Sequence, residues 1–136
     1  MGIFDLFKIK KSVPEWVSQF PAEYVEIILN QIKINPQSCN LDEIPQGTGK
    51  FGLELTNPIP INGIPSNEEY LKKLILNNGS KIRWRREGSL RISNISMPID
   101  KYEIFDLEGN TVCFLFLSPY HLKTSEKIPE GFRFKK

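Results

Sequence analysis

Between residues 35 and 65 the chain carries five of its ten prolines and four of its nine glycines. Proline lacks an amide donor and fixes φ, and glycine loses the most conformational freedom on ordering. No long helix or central strand is therefore expected to run through this stretch. Regular structure must lie before it or after it, and the two flanks differ in pattern.

The N-terminal flank reads as helical. Pro14 and Pro21 suit first-turn positions, so a short helix over 14–19 is expected to lead into a longer one over 21–33. In "PAEYVEIILNQIK", Tyr24, Ile27, Ile28 and Ile32 recur at the spacing of a buried stripe. Asn35-Pro36 ends that helix, because a residue before proline is pushed out of helical geometry. Within the loop, "FGLEL" predicts a short strand near Phe51–Thr56, followed by the proline-stiffened "NPIPING".

After residue 65 the capping-box pattern Ser66-Asn67-Glu68-Glu69 predicts a helix over 66–77. Tyr70, Leu71, Leu74 and Ile75 form its buried stripe, and Asn77-Asn78-Gly79 supplies its stop. The remainder reads as strands. "KIRWR" alternates, with Ile82 and Trp84 on one face and Lys81, Arg83 and Arg85 on the other. Residues 90–95 suggest another short strand. "DKYEIFDL" and "TVCFLFL" flank Glu108-Gly109-Asn110, a hairpin connection. Val112–Leu117 is apolar on both faces, as a central strand would be. The fold class expected is α+β, one domain over 1–136, with two main helices packed on a mainly antiparallel sheet built largely from the C-terminal half.

Charge and composition exclude several functions. The 18 basic and 16 acidic side chains are too evenly balanced to imply a nucleic-acid partner. Residues 72–91 are locally basic, but with Trp84 turned to the core the arginines read as a solvated strand face that blocks edge pairing. Cys39 and Cys113 form no Cys-rich framework, so two free thiols in a reducing cytosol is the simpler reading. At the N-terminus, Lys8, Lys10 and Lys11 follow the apolar residues, the reverse of a secretory signal, and the apolar run is too short to span a bilayer. Residues 1–13 read as an accessory amphipathic segment, residues 1–11 as packing or fraying rather than binding a membrane, and the chain as cytoplasmic.

No short motif carries a recognisable chemistry. "GTGKFG" at 47–52 is a literal G-x-G-x-x-G, but a dinucleotide site needs a strand before it and a helix after it. Here Pro45 precedes the glycines, and Pro58 and Pro60 follow closely. Lys50 is followed by Phe51 rather than Ser or Thr, so the phosphate-loop reading fails as well. His121 is the only histidine, and with Cys39 and Cys113 it has no zinc-ligand spacing. No nucleotide, nucleic acid, cofactor or metal is expected.

The order "FG…NPIPING…EYLKKL…NNG…RREGS…KYEIFDLEGN…FLFLSPYH…IPEGF" resembles an uncharacterised family of small bacterial cytosolic proteins. There an Asn-Pro-Ile-Pro segment precedes a Tyr-Leu helix, and an Arg-x-x-Gly-Ser turn, a Tyr-Glu hairpin, Pro-Tyr-His and Pro-x-Gly-Phe follow. The resemblance covers residues 51–132. It implies a bacterial source and a shared fold, and it brings no reaction.

Two functions fit these observations. One is a non-catalytic interaction module, such as an immunity or accessory protein for another bacterial protein. The other is a small-ligand or enzymatic domain whose site gathers Asn57, Arg86, Tyr120 and His121. Gly88-Ser89 would add exposed turn amides beside Arg86, and Pro119 would fix the backbone before Tyr120. Two arrangements are open: Asn57, Arg86, Ser89, Tyr120 and His121 meet on one face, or the proline loop merely caps the sheet edge and Tyr120 closes the core.

Overall fold

The structure, a computed structural model, describes residues 21–136. Its architecture there is α+β. A helix α1 (Ala22–Ile34) precedes the proline-rich stretch, whose only strand is the two-residue β1 (Ile59–Pro60). Then come α2 (Pro65–Lys72), β2 (Leu74–Leu76), β3 (Arg83–Ile92), β4 (Ile95–Phe105), β5 (Thr111–Ser118) and β6 (Phe132–Phe134). The main sheet has the order β1-β5-β4-β3, and β2 and β6 form a separate pair. The helix expected over 14–19 and the segment 1–13 lie outside the described residues, as does the side chain of Ile28.

The sheet is mixed rather than wholly antiparallel. β3, β4 and β5 form an antiparallel meander, whereas β1 adds to β5 in parallel through Ile59↔Leu117 and Pro60↔Ser118. β5 thus has neighbours on both sides, as its two-sided apolar sequence requires. Its hairpin with β4 is closed by five residues, 106–110. Asp106 Oδ1 accepts from the amides of Glu108 and Asn110, both at 2.9 Å. Residues 90–95 are not a separate strand: β3 runs on to Ile92 and turns at 93–94 into β4.

Three expectations are corrected. The helix over 66–77 stops at Lys72, and Leu74–Leu76 leaves it to pair antiparallel with Phe132–Phe134. A three-residue apolar run satisfies either period, and the returning tail offers Leu74–Leu76 a strand partner. Ser66 caps nothing, because the helix begins one residue earlier at Pro65 and no side chain bonds its first turn. The strand near Phe51–Thr56 is a series of turns, with the Lys50 carbonyl accepting from the amides of both Leu53 and Glu54.

The main core lies on one face of the sheet. Ile59, Ile61, Tyr70, Leu71, Leu74, Ile104, Leu115 and Leu117 are fully or almost fully buried in one cluster, with Trp84 packed against it. Trp84 therefore faces inward, opposite Arg83 and Arg85. A smaller cluster of Ile44, Ile95 and Ile99 packs with Phe116; Ile99 and Phe116 lie one residue out of phase with the main core, on the other face. Among the described side chains of α1, Leu29 and Ile32 are buried, whereas Tyr24 and Ile27, expected in the buried stripe, are each 53% exposed.

Candidate binding site

The site is set by a break in β3. Residues three apart on an unbroken strand point to opposite faces. Arg86 nevertheless pairs with Tyr102 while Ser89 pairs with Asp100, two residues of equal parity on β4. The extra residue is Glu87, bulged out between Arg86 and Gly88, with Gly88 at φ 142°. The bulge turns Arg86 and Ser89 to the same face as Asp100. Arg86 Nη2 donates to Ser89 Oγ at 2.8 Å and to Asp100 Oδ1 at 3.1 Å, and Ser89 Oγ donates to Asp100 Oδ1 at 2.9 Å.

Asp100 is buried, and a buried carboxylate requires several donors. The remaining one comes from α2: Asn67 Nδ2 donates to Asp100 Oδ2 at 2.8 Å and sits 3.4 Å from Tyr102 Oη. Burial raises the Tyr102 phenol above its ordinary range, so it stays neutral. The Arg86 side chain is 53% exposed and is held through Nη2 by Ser89 and Asp100.

The proline loop and the Pro119-Tyr120-His121 segment do meet. Ile61 donates to the Ser118 carbonyl at 2.8 Å, Gly63 to the Pro119 carbonyl at 2.8 Å, and His121 to the Ile61 carbonyl at 3.0 Å. Asn35 Nδ2 holds the Tyr120 carbonyl at 2.8 Å, tying the end of α1 to the same corner. Burial raises the Tyr120 phenol, with Asp100 raising it further and Arg86 and Arg91 opposing. Tyr120 thus stands within electrostatic reach of the Arg86–Asp100 pair. The hollow beside it, lined by Ile64, Pro65 and Pro119, holds about 30 Å³, the space of one water.

His121 is fully buried and turned elsewhere. The Cys39 amide donates to its Nδ1 at 3.2 Å, which fixes the proton on Nε2, and Nε2 then donates to Ser118 Oγ at 2.9 Å. A serine activated for attack needs the opposite arrangement, with Nε2 accepting. Burial lowers the imidazole to about 4, so it is neutral near pH 7. The Cys39 thiol lies 3.6 Å from Nδ1, and burial raises the Cys113 thiol to about 11. Both cysteines are free.

Asn57 also works alone. Its Nδ2 donates to Glu43 at 2.8 Å and to the Gly49 carbonyl at 3.0 Å, so it holds the 43–57 loop together from inside. The glycines of GTGKFG serve that loop. Gly49 and Gly52 have φ of 89° and 72°, and a Cβ on Gly52 would press on Ile59 at 2.9 Å.

Of the five residues expected to meet, the structure joins Arg86 and Ser89 at Asp100, with Tyr120 within their electrostatic reach, while Asn57 and His121 bond within separate networks. Asp100 and Asn67 were missed. The signal was present in β4, where Asp100 has the inward parity of Tyr102 and Ile104, a position where a carboxylate must be paired. Among the described residues no group of three His, Cys, Asp or Glu side chains is placed to hold a metal ion, and no helix is long and apolar enough to cross a membrane. Comparison with protein-family models, curated proteins and solved structures found no match.

Proposed function

We propose that the protein is a non-catalytic interaction module of a bacterial cytosol that binds another protein through the face carrying Arg86, Ser89 and Tyr120. The observation that carries this reading is the Arg86 guanidinium, half exposed yet already fixed by Ser89 and Asp100. A cation held in place loses little entropy on binding and presents directed donors to a carboxylate. Arg86 and Arg91 both act on the Tyr120 phenol, so two guanidinium groups stand near it, suited to an acidic segment of the partner. Tyr120 adds a rigid aromatic surface beside it.

The enzymatic alternative has less support. It relied on Arg86, Tyr120 and His121 acting together, and the imidazole is buried, neutral and bonded to Ser118 and Cys39. The inward packing of Trp84 removes the aromatic platform a single-stranded nucleic acid would use, which supports a protein partner. The reading includes one domain in which both helices back the sheet. Tyr70 and Leu71 of α2 in the main core and the Asn35–Tyr120 bond at the end of α1 support it.

The test is affinity capture from the native cell with wild-type, Arg86→Ala and Tyr120→Ala baits, followed by titration of any purified partner. Both variants should weaken binding by about tenfold or more, with circular dichroism showing each still folded at the assay temperature. A partner bound equally by all three baits would refute the assignment of this face.

A further inference from the structure

β3 ends the main sheet on one side, because in the order β1-β5-β4-β3 its only neighbour is β4. At the other end stands β1, two residues long and buried. In an antiparallel pair every second residue turns its amide and carbonyl away from the partner strand, so a ten-residue edge strand carries a row of unpaired backbone groups. Among the described residues, no backbone group of residues 81–92 bonds outside the β3–β4 ladder. Arg83, Arg85, Arg86 and Glu87 are all exposed, so nothing described lies over this edge.

Register and charge decide what can add there. The bulge at Glu87 and a second shift between Leu90 and Ile92 interrupt the edge, which leaves Arg83–Arg86 as its regular stretch, paired in step with Phe105, Ile104, Glu103 and Tyr102. β3 carries four arginines against one glutamate. Two copies paired antiparallel over Arg83–Arg86 would set Arg83 opposite Arg86, a like-charge pair that opposes the contact. A strand of carboxylates meets the reverse. Arg83 and Arg85 share the outer face, and both are oriented: Arg83 Nη2 donates to the Leu107 carbonyl at 3.1 Å and Arg85 Nη2 to Glu103 at 2.7 Å. The Arg85 side chain is still 65% exposed. Trp84, between them on the core face, packs on the core yet is only half-buried.

We propose that this edge takes up an extended acidic segment of the partner protein as a fifth strand along Arg83–Arg86. The backbone of the segment completes the unpaired row, and its side chains at alternate positions give the selectivity. Carboxylates two residues apart meet Arg83 and Arg85 on the outer face, and the apolar residue between them covers Trp84. Strand addition deepens the function proposed above and rests on it, since Arg86 closes the same four-residue stretch.

The test titrates the full chain with the capped peptide acetyl-Glu-Val-Glu-Val-Glu-amide, its lysine counterpart acetyl-Lys-Val-Lys-Val-Lys-amide, and the acidic peptide N-methylated at every interior amide. Amide resonances and hydrogen exchange of residues 81–86 are read. The acidic peptide should give saturable shifts in the millimolar range and slow the exchange of the outward amides. The lysine peptide should not bind, and N-methylation should weaken binding by about fivefold or more while leaving every charge in place. Arg83→Glu should weaken binding by about tenfold, whereas Lys50→Glu, a charge reversal on an exposed lysine of the proline loop, should not. No saturable shift, equal binding of the lysine or N-methylated peptide, or an unaffected Arg83→Glu variant would each overturn strand addition. Concentration-dependent shifts of the same amides in the free chain would also overturn it, by naming a second copy as the occupant. Partner capture separates the two readings. Loss with Arg86→Ala and Tyr120→Ala but not with Arg83→Glu keeps the binding face and removes the added strand; loss with Arg83→Glu alone keeps the strand and removes the face.

Discussion

Asn67 Nδ2 donates to Asp100 Oδ2 at 2.8 Å, and this buried bond, with the weaker 3.4 Å one to Tyr102 Oη, ties α2 to the central meander of the sheet. Bonds to a buried carboxylate are among the stronger neutral–charged contacts, and losing one leaves the charge short of a donor. Asn67→Ala should therefore lower unfolding free energy by about 2 kcal/mol. A double-mutant cycle with Asp100→Ala should show clear coupling in urea denaturation. Arg86→Ala removes the charge partner of the same buried carboxylate and should cost about 1–3 kcal/mol.

The bulge at Glu87 and Gly88 predicts an unusual glycine effect. Nothing lies within 4 Å of a Cβ added at Gly88, so crowding is no obstacle. Its φ of 142° is closed to side chains for backbone reasons alone. Gly88→Val should cost about 1–3 kcal/mol despite the open space. A neutral substitution would mean that the bulge does not persist in solution.

His121 sets a pH dependence. Its unfolded value is 6.5 and burial lowers the folded value to about 4, so between those limits the unfolded chain binds the extra proton. Stability is full above about pH 6.5 and declines as pH falls toward 4, by about 3 kcal/mol in all. Asp42 and Glu43, both lowered below ordinary carboxylate values by their hydrogen bonds, contribute losses only at the acid end of that range. Urea denaturation at pH 7, 6 and 5 should show the decline, and His121→Gln should flatten it. An imidazole titrating near 6.5 by NMR would contradict the buried neutral ring.

Leu74 tests the short β2–β6 sheet. It is buried in the main core and pairs with Phe134, whose ring meets Tyr70 edge-on at 5.7 Å. Leu74→Ala should cost about 2–5 kcal/mol. Its cycle with Phe134→Ala should show coupling that a helix continued through residue 77 would not give. Ile27→Ala on the exposed side of α1 should change stability by about 0.5 kcal/mol or less.

The sequence by itself determined what local chemistry decides. Prolines and glycines between 35 and 65 excluded long elements there, leaving only the two-residue β1. The period-3.6 pattern located α1, and alternation turned Trp84 inward, opposite Arg83 and Arg85. The two-sided apolar run of β5 signalled a strand with neighbours on both edges. What only the tertiary structure decided depends on residues far apart in the chain. Leu74–Leu76 became a strand because Phe132–Phe134 returns to pair with it. β1 is parallel to β5 because the proline loop docks on that edge rather than forming a hairpin. The Arg86–Ser89–Asp100 cluster depends on one bulged residue, since shifting parity at Glu87 brings Arg86 and Ser89 onto Asp100. Sequence spacing cannot show that shift, because a side-chain period of two inverts with every residue inserted or skipped.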